Sequence, residues 1–512
     1  MNKTTKAIST VSILLVISKL FGFIREMVVA AYYGATYQTD AYNMAIQIIG
    51  LSTTIISAGV ATVIIPMYTH KRTQQTKEEA DLFANNILWI TSLFYIVLSA
   101  AGIIFAPLLV RIFAPNFNAE TSVLTVNIIR ITFVFTVAVN ITNHITSIAK
   151  IYDKFAVTVI AIFPYSVTVV LSSVFFVKYI GIYALVIGYV LFLLAQALIL
   201  VLSVRKIFKF KAILNFRNGN LRDVIKLSLP VYLSVAVWEI DAVVDKMLAS
   251  GLPEGSISAM NYAVKISGLP EGIITLSIIT VMFPLLSQYA AKKDFPGIKA
   301  AAAKSISLIF IALMPVIAVS VYYSAEITKI IYERGAFTPD KTALTANILI
   351  FAVISLAFNG SASLLTNSFY SMQDTKTPQI IAIVTVICNV VLNLILVRYM
   401  QAAGLIFATS IAHFIQFVIL FILFRRKCGA FNGLTLLKNI GKCVIATVGM
   451  VPVFWVCELL RGRLPLFIFF AVAAAISLLV YALLLYLLKV ELFMEALGRA
   501  KIFLKNRFKT KN

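Results

Sequence analysis

Along its length the chain is a succession of long apolar runs separated by short polar breaks. Fourteen such runs lie near 9–33, 40–68, 82–112, 122–149, 156–177, 181–204, 222–250, 257–289, 301–323, 342–371, 379–399, 402–424, 438–459 and 464–488. A helix of about 20 residues crosses a hydrocarbon core of roughly 30 Å, and each run reaches that length. Polar residues interrupt the runs at 122–149, 222–250 and 342–371. Membrane β-strands would alternate apolar and polar over segments of about 10 residues, a pattern the chain lacks. The predicted fold class is an all-α polytopic membrane protein with about 14 transmembrane helices.

The pattern repeats. Residues 40–67 (DAYNMAIQIIGLSTTIISAGVATVIIPM) and 258–285 (SAMNYAVKISGLPEGIITLSIITVMFPL) match at 11 of 28 positions without a gap, including Asn43 with Asn261, Gly50 with Gly268 and Pro66 with Pro284. A shared Asn, Gly and Pro in one register is more than two apolar helices share by composition. The repeat maps the second run onto the eighth; an even offset gives both copies the same orientation in the membrane. A fainter echo links AKIYDKFAVTVIAIF (149–163) to YSMQDTKTPQIIAIV (370–384). The chain is read as two parallel six-helix lobes, 1–215 and 216–430, followed by two helices in 431–490 and a basic tail in 491–512. Parallel repeats are a transporter architecture, with the substrate site between the halves.

Composition agrees. Of 512 residues, 61% are hydrophobic and 13% charged, against about 25% charged in soluble domains. The net charge of +23 raises nucleic acid as a partner. Fourteen spans, however, place 26 Lys and Arg on the side of the termini and 8 on the other. That asymmetry is the positive-inside rule; it predicts cytoplasmic termini and leaves no need for nucleic acid. The first run lacks a small-residue cleavage site and exceeds a signal-peptide core, so it is expected to be retained. Cys388, Cys428, Cys443 and Cys457 show no metal-type spacing, and His70, His144 and His413 form no ligand cluster. They are expected to be free thiols and isolated histidines.

Charges within the spans change the picture. An ionisable group at helix-centre depth costs roughly 2.5–3.5 kcal/mol on insertion scales and faces a polar cavity or the bundle interior. SKLFGFIREMVVAAYYGATYQTDAY (18–42) carries Lys19, Arg25, Glu26 and Asp40. Adjacent Arg25 and Glu26 point to different faces, so Glu26 is expected to pair with another helix. Asp40 opens the second span, where a carboxylate complements a helix N-terminus. Lys265 stands at the repeat position of Gln47, ahead of Gly268, Pro270 and Gly272, an interruption that can bend a helix. A cavity lined by Lys and Arg calls for an anion, and Arg matches phosphate bidentately.

At these residues the chain resembles the MurJ (MviN) lipid II flippases of the multidrug/oligosaccharidyl-lipid/polysaccharide exporter superfamily. The motifs are SKLFGFIRE with YGATYQTDAY, LPEGSISAMNYAVKISGLPEGI with ITVMFPLLS, YERGAFTPDKT and FYSMQDTKTP, in order from about 10 to 425. The resemblance implies a V-shaped two-lobed transporter, not an enzyme, in a bacterial plasma membrane. Its cargo would be lipid II, the undecaprenyl-diphosphate-linked peptidoglycan precursor, moved from the inner to the outer leaflet. It further implies a lipid-tail groove in the last two helices, with cell-wall synthesis proteins as further partners. Its essential cations fall on Lys19, Arg25 and Lys265 and its acidic position on Asp40. A paired-arginine segment of many relatives is replaced by Ser52, Thr53 and Thr54.

No cofactor is expected apart from Na⁺. Asn389 and Asn393 share a helical face at i and i+4, Thr409 adds a hydroxyl and Asp245 a carboxylate, the hard oxygen donors Na⁺ prefers. These positions look like a sodium site of the family, with Asn393 in place of an acidic residue. Interhelical hydrogen bonding between the amides is the competing reading. Rival functions are a flippase for another polyprenyl-diphosphate oligosaccharide or a cation-coupled drug exporter. A membrane glycosyltransferase would need acidic metal-binding clusters, and neither DxD nor DDxxD occurs.

Overall fold

The computed structural model describes residues 3–216, 219–429 and 433–498, with side chains from residue 14 onward except at 219–221, 234 and 433–435. The side chains of Lys3, Lys6 and Arg217 and the tail from Arg499 onward lie outside the described residues. The described residues form helices and no strand. In chain order these are α1 (Lys3–Tyr33), α2 (Tyr37–Gln74), α3 (Lys77–Ile104), α4 (Ala106–Phe113), α5 (Ala119–Phe133), α6 (Thr136–Ile151), α7 (Phe155–Ile160), α8 (Pro164–Ile180), α9 (Tyr183–Val204) and α10 (Gly219–Ala249). There follow α11 (Ser256–Ala291), α12 (Phe295–Tyr322), α13 (Ser324–Tyr332), α14 (Pro339–Ile354), α15 (Leu356–Ser371), α16 (Lys376–Cys428), α17 (Gly433–Val448), α18 (Val451–Glu458) and α19 (Leu466–Leu487).

Local chemistry sets the helix ends. The first turn of a helix leaves N–H groups without partners, and a side-chain oxygen can take one up. Thr76 accepts from Glu79 N (3.2 Å), Asn118 from Thr121 N (2.8 Å), Asp294 from Gly297 N (2.9 Å) and Asp374 from Thr377 N (3.0 Å). Four helices end in one motif, with a residue at positive φ and an N–H reaching back five residues. The bonds are Lys154 N to Ala149 O (2.9 Å), Asp294 N to Tyr289 O (2.9 Å), Asp374 N to Phe369 O (3.0 Å) and Val490 N to Leu485 O (3.1 Å). Asp153, Lys293, Gln373 and Lys489 hold φ of 56°, 55°, 60° and 49°. The faint echo between 149–163 and 370–384 thus includes a shared way of ending a helix.

Nine helices among the described residues are long and apolar enough to cross a membrane, or up to twelve if each bent pair is one span. The bent pairs are α5 with α6 (47°), the two parts of α10, 222–233 and 235–249 (41°), and α14 with α15 (41°). They coincide with the three runs that polar residues interrupt. The 53-residue α16 is two helices joined at Gln401, whose φ of 52° breaks the helical path. At 1.5 Å per residue an unbroken helix of that length would span about 80 Å, far more than one bilayer.

The chain divides into two compact units, Met1–Ala259 with Arg334–Lys341, and Met260–Glu333 with Thr342–Asn512. In the first, α2 packs against α3, α5, α6 and α10, and one end is filled by Tyr68, Phe83, Ile148, Leu200 and Phe208. The segment 334–341, which carries the RGAF part of the ERGAF motif, docks on the α1–α2 corner, where Ala336 N donates to Ala31 O (2.8 Å). Glycine is required on both sides of that contact. A Cβ on Gly34 (φ +64°) would lie 2.4 Å from Ala336 O, and one on Gly335 (φ +58°) 2.2 Å from Ala31 O. In the second unit α12 packs against α15, α17 and α19. Tyr323 meets Phe454 and Phe469 edge-on there, and Arg461 pairs with buried Glu326. All four cysteines are free.

Candidate functional site

Among the described residues, Arg25 is the buried cation of the first unit. It lies on α1 with 8% of its surface exposed. One guanidinium nitrogen donates to Glu26 Oε1 at 2.6 Å, and the guanidinium carbon lies 3.7 Å from the centroid of the Tyr165 ring. Tyr165, at the start of α8, is itself held by Tyr189 and Phe192 of α9, with ring centroids 5.9 and 4.6 Å away. Pro164 at the head of α8 suits the first helical turn and so sets where Tyr165 points. A desolvated cation over an aromatic face gains about 2 kcal/mol. The remaining guanidinium donors make no hydrogen bond among the described residues, so the group is positioned and still able to take an anion.

The pairing of Glu26 corrects the sequence expectation. Glu26 meets its neighbour Arg25 and, among the described residues, pairs with no cation of another helix. Helical Cβ directions of adjacent residues diverge, but both side chains are long enough for their tips to converge where burial excludes water.

Asp40, in the first turn of α2, is buried and accepts three hydrogen bonds. Gly255 N reaches Oδ2 at 2.7 Å, while Ser258 N (2.8 Å) and Ser258 Oγ (2.6 Å) reach Oδ1. The carboxylate therefore serves the N-terminus of α11, a different helix from the one it opens. Beside it Lys341 Nζ donates to Glu254 O (2.7 Å). Deeper along α2, Asn43 donates to Ser258 Oγ (3.2 Å), and Lys246 of α10 donates to Gln47 Oε1 (2.8 Å). Gln47 in turn donates to Glu239 Oε2 at 3.5 Å. Asp245, half-buried on α10, belongs to this unit. Ser52 and Thr53 bond back to the carbonyls of Ile48 and Ile49. Lys19 is exposed on α1 and forms no ion pair among the described residues.

In the second unit Lys265 is exposed on α11, which stays helical through Pro270 and Pro284. Glu271 accepts from Asn359 Nδ2 at 2.5 Å. Asn389 and Asn393, both buried on α16, are brought together with Thr409 across the Gln401 break. Asn393 donates to Asn389 Oδ1, Asn389 donates to Thr409 Oγ1 (3.0 Å), and Thr409 donates to Leu405 O (3.1 Å). No group of three or more His, Cys, Asp and Glu among the described residues could hold a metal ion.

Sequence reasoning missed Tyr165 and Ser258. Tyr165 is one of 21 tyrosines, and nothing in its local sequence marks the guanidinium it faces. Ser258 had a signal: it is the repeat equivalent of Asp40.

A family model described as "Lipid II flippase MurJ" matches residues 29–475. The chain is 29% identical over 401 residues to the "Probable lipid II flippase MurJ" of Rickettsia prowazekii (strain Madrid E), covering 77% of this chain and 79% of that protein. It is 24% identical to the "Lipid II flippase MurJ" of Burkholderia cenocepacia, covering 82% and 84%. Among solved structures it is similar to "Lipid II flippase MurJ, inward closed conformation", with TM-score 0.81, 25% identity, and coverage of 96% and 99%. A multidrug resistance transporter of the MATE family, at 15% identity and TM-score 0.68, shares the fold.

Proposed function

The chain belongs to the lipid II flippase MurJ family, and from that premise we propose that it carries lipid II from the inner to the outer leaflet of a bacterial plasma membrane by alternating access. The observation supporting this beyond membership is Arg25. Its guanidinium is buried, fixed on one face by Tyr165 and on one donor by Glu26, with donors left for a diphosphate. Planar, bidentate donors match phosphate oxygens. Lys19 and Lys265 are assigned as accessory cations that attract the headgroup as point charges. Glu26 holds Arg25 between cargoes, and Asp40 fixes the start of α11. The excess of cations on the side of the termini supports a cytoplasmic location for both.

Complementation tests the reading. Expression of the chain in a bacterium depleted of its own lipid II flippase should restore growth and lipid II translocation. Membrane-inserted protein that restores neither would reject it.

A further inference from the structure

We propose that the connector 205–216, between α9 and α10, is a docking site for anionic phospholipid headgroups at the membrane surface. Three side chains of α3 hold this irregular segment in place. Buried Asn85 donates to Lys209 O (2.8 Å) and accepts from Lys211 N (2.9 Å). Buried Asn86 donates to Asn215 O (3.0 Å) and accepts from Asn215 N (2.7 Å). Trp89 Nε1 donates to Lys211 O (2.9 Å). Phe208 anchors the inner side in the core with Tyr68, Phe83 and Ile148, and meets Phe210 edge-on at 5.0 Å.

The outer side is basic and apolar by turns. Arg205, Lys206, Lys209 and Lys211 are all exposed, and none forms an ion pair among the described residues. Phe210 (41% exposed), Leu214 (55%) and Phe216 (54%) also face outward. Cations interleaved with exposed aromatic and aliphatic side chains suit the headgroup–acyl boundary, where phosphates meet the first methylenes. Positive-inside topology alone requires only that Lys and Arg lie in the connector. It does not require two buried asparagines to fix the backbone that carries them. Fixing the backbone lowers the entropy cost of gathering these cations around a phosphate. Charge complementarity selects the anionic lipids of the cytoplasmic leaflet as occupant.

The test uses the full-length protein in neutral detergent, with thermal unfolding followed while phosphatidylglycerol or phosphatidylcholine is added. Phosphatidylglycerol should raise the midpoint, phosphatidylcholine should not, and added salt should shrink the difference. Neutralising the cations as R205Q/K206Q/K209Q/K211Q should raise the lipid needed by roughly fivefold per cation removed. The charge-keeping K206R/K209R/K211R protein should respond as the parent does. A second readout needs no change in the connector. With Trp238 and Trp455 replaced by Phe, brominated phosphatidylglycerol should quench Trp89 more than brominated phosphatidylcholine. Equal responses to the two lipids, or an unchanged response in the neutralised protein, would overturn the proposal. Displacement of phosphatidylglycerol by inorganic pyrophosphate at comparable concentration would also overturn it, because the site would then read a diphosphate.

Discussion

Asp40 and Ser258 occupy equivalent positions in the two copies of the repeat, and they are hydrogen-bonded to each other through both the backbone N–H and the hydroxyl of Ser258. The repeat thus meets itself at a matched position, with an acceptor on one copy and a donor on the other. The substitution that separates the copies, Asp against Ser, makes the pair complementary; two carboxylates there would repel.

Stability should follow that asymmetry. Ser258→Ala removes one hydroxyl donor and should cost about 1.5–3 kcal/mol, the range for a hydrogen bond to a charged group. Asp40→Ala strands two buried backbone N–H groups as well and should cost about 3 kcal/mol or more. Thermal unfolding of the purified proteins checks the order; an Asp40→Ala midpoint equal to that of Ser258→Ala would contradict it.

Transport should depend on how Arg25 is held. Arg25→Ala should abolish flipping in a well-expressed protein, and Arg25→Lys should keep part of it, since charge stays while bidentate geometry goes. Tyr165→Phe preserves the ring face and should transport normally. Tyr165→Leu removes the cation–π contact of about 2 kcal/mol and should weaken headgroup affinity roughly thirtyfold. Flipping in reconstituted vesicles measures both. Equal activity of the Phe and Leu proteins would remove Tyr165 from the positioning of Arg25.

Much of the architecture was legible because membranes leave few options. Long apolar runs become helices, and the runs with polar interruptions at 122–149, 222–250 and 342–371 are the three that bend. Asp40, Arg25 and the Asn389–Asn393–Thr409 set were identifiable because polar groups in apolar surroundings need partners. What they bond to was not. The i-spacing rule governs where Cβ atoms point, so it misjudged Glu26, whose long side chain reaches its neighbour. Tyr165 reaches Arg25 through packing of α8 on α1, which no local pattern encodes. Asn85 and Asn86 read as polar breaks in an apolar run, while their partners are backbone groups far along the chain.

Acid sensitivity should appear at the turn before α16. Partial burial alone would raise the Asp374 pKa, but the bonds from Lys427 and from the N–H and hydroxyl of Thr377 outweigh it and hold the carboxyl below its ordinary value. A depressed folded-state pKa stabilises fully above the unfolded value of about 4 and loses that contribution as pH falls through the folded value. The parent should therefore unfold at a higher temperature than Asp374→Asn at neutral pH. The two midpoints should converge as pH falls through the folded value. A gap that stays constant as the pH is lowered into the acid range would contradict the linkage.

The Asn389–Asn393–Thr409 network yields the last prediction, on the proposal that its oxygens serve Na⁺. Two amides and a hydroxyl are hydrogen-bonded in series, so an entering cation must turn the Asn389 oxygen away from the Asn393 amide. None of the three carries a formal charge, and charge count governs how tightly oxygen ligands hold a hard cation. Na⁺ should therefore raise the unfolding midpoint of the parent only modestly above the value in equal K⁺. Asn393→Asp supplies a carboxylate and exchanges an amide donor for an acceptor facing Asn389. That protein should respond to Na⁺ at a concentration at least about tenfold lower, equivalent to about 1.4 kcal/mol. Asn389→Ala should abolish the difference between the ions in both backgrounds. Superimposable Na⁺ and K⁺ curves for the parent and for Asn393→Asp would leave the network purely structural, a set of hydrogen bonds that joins the two halves of α16 across the break at Gln401.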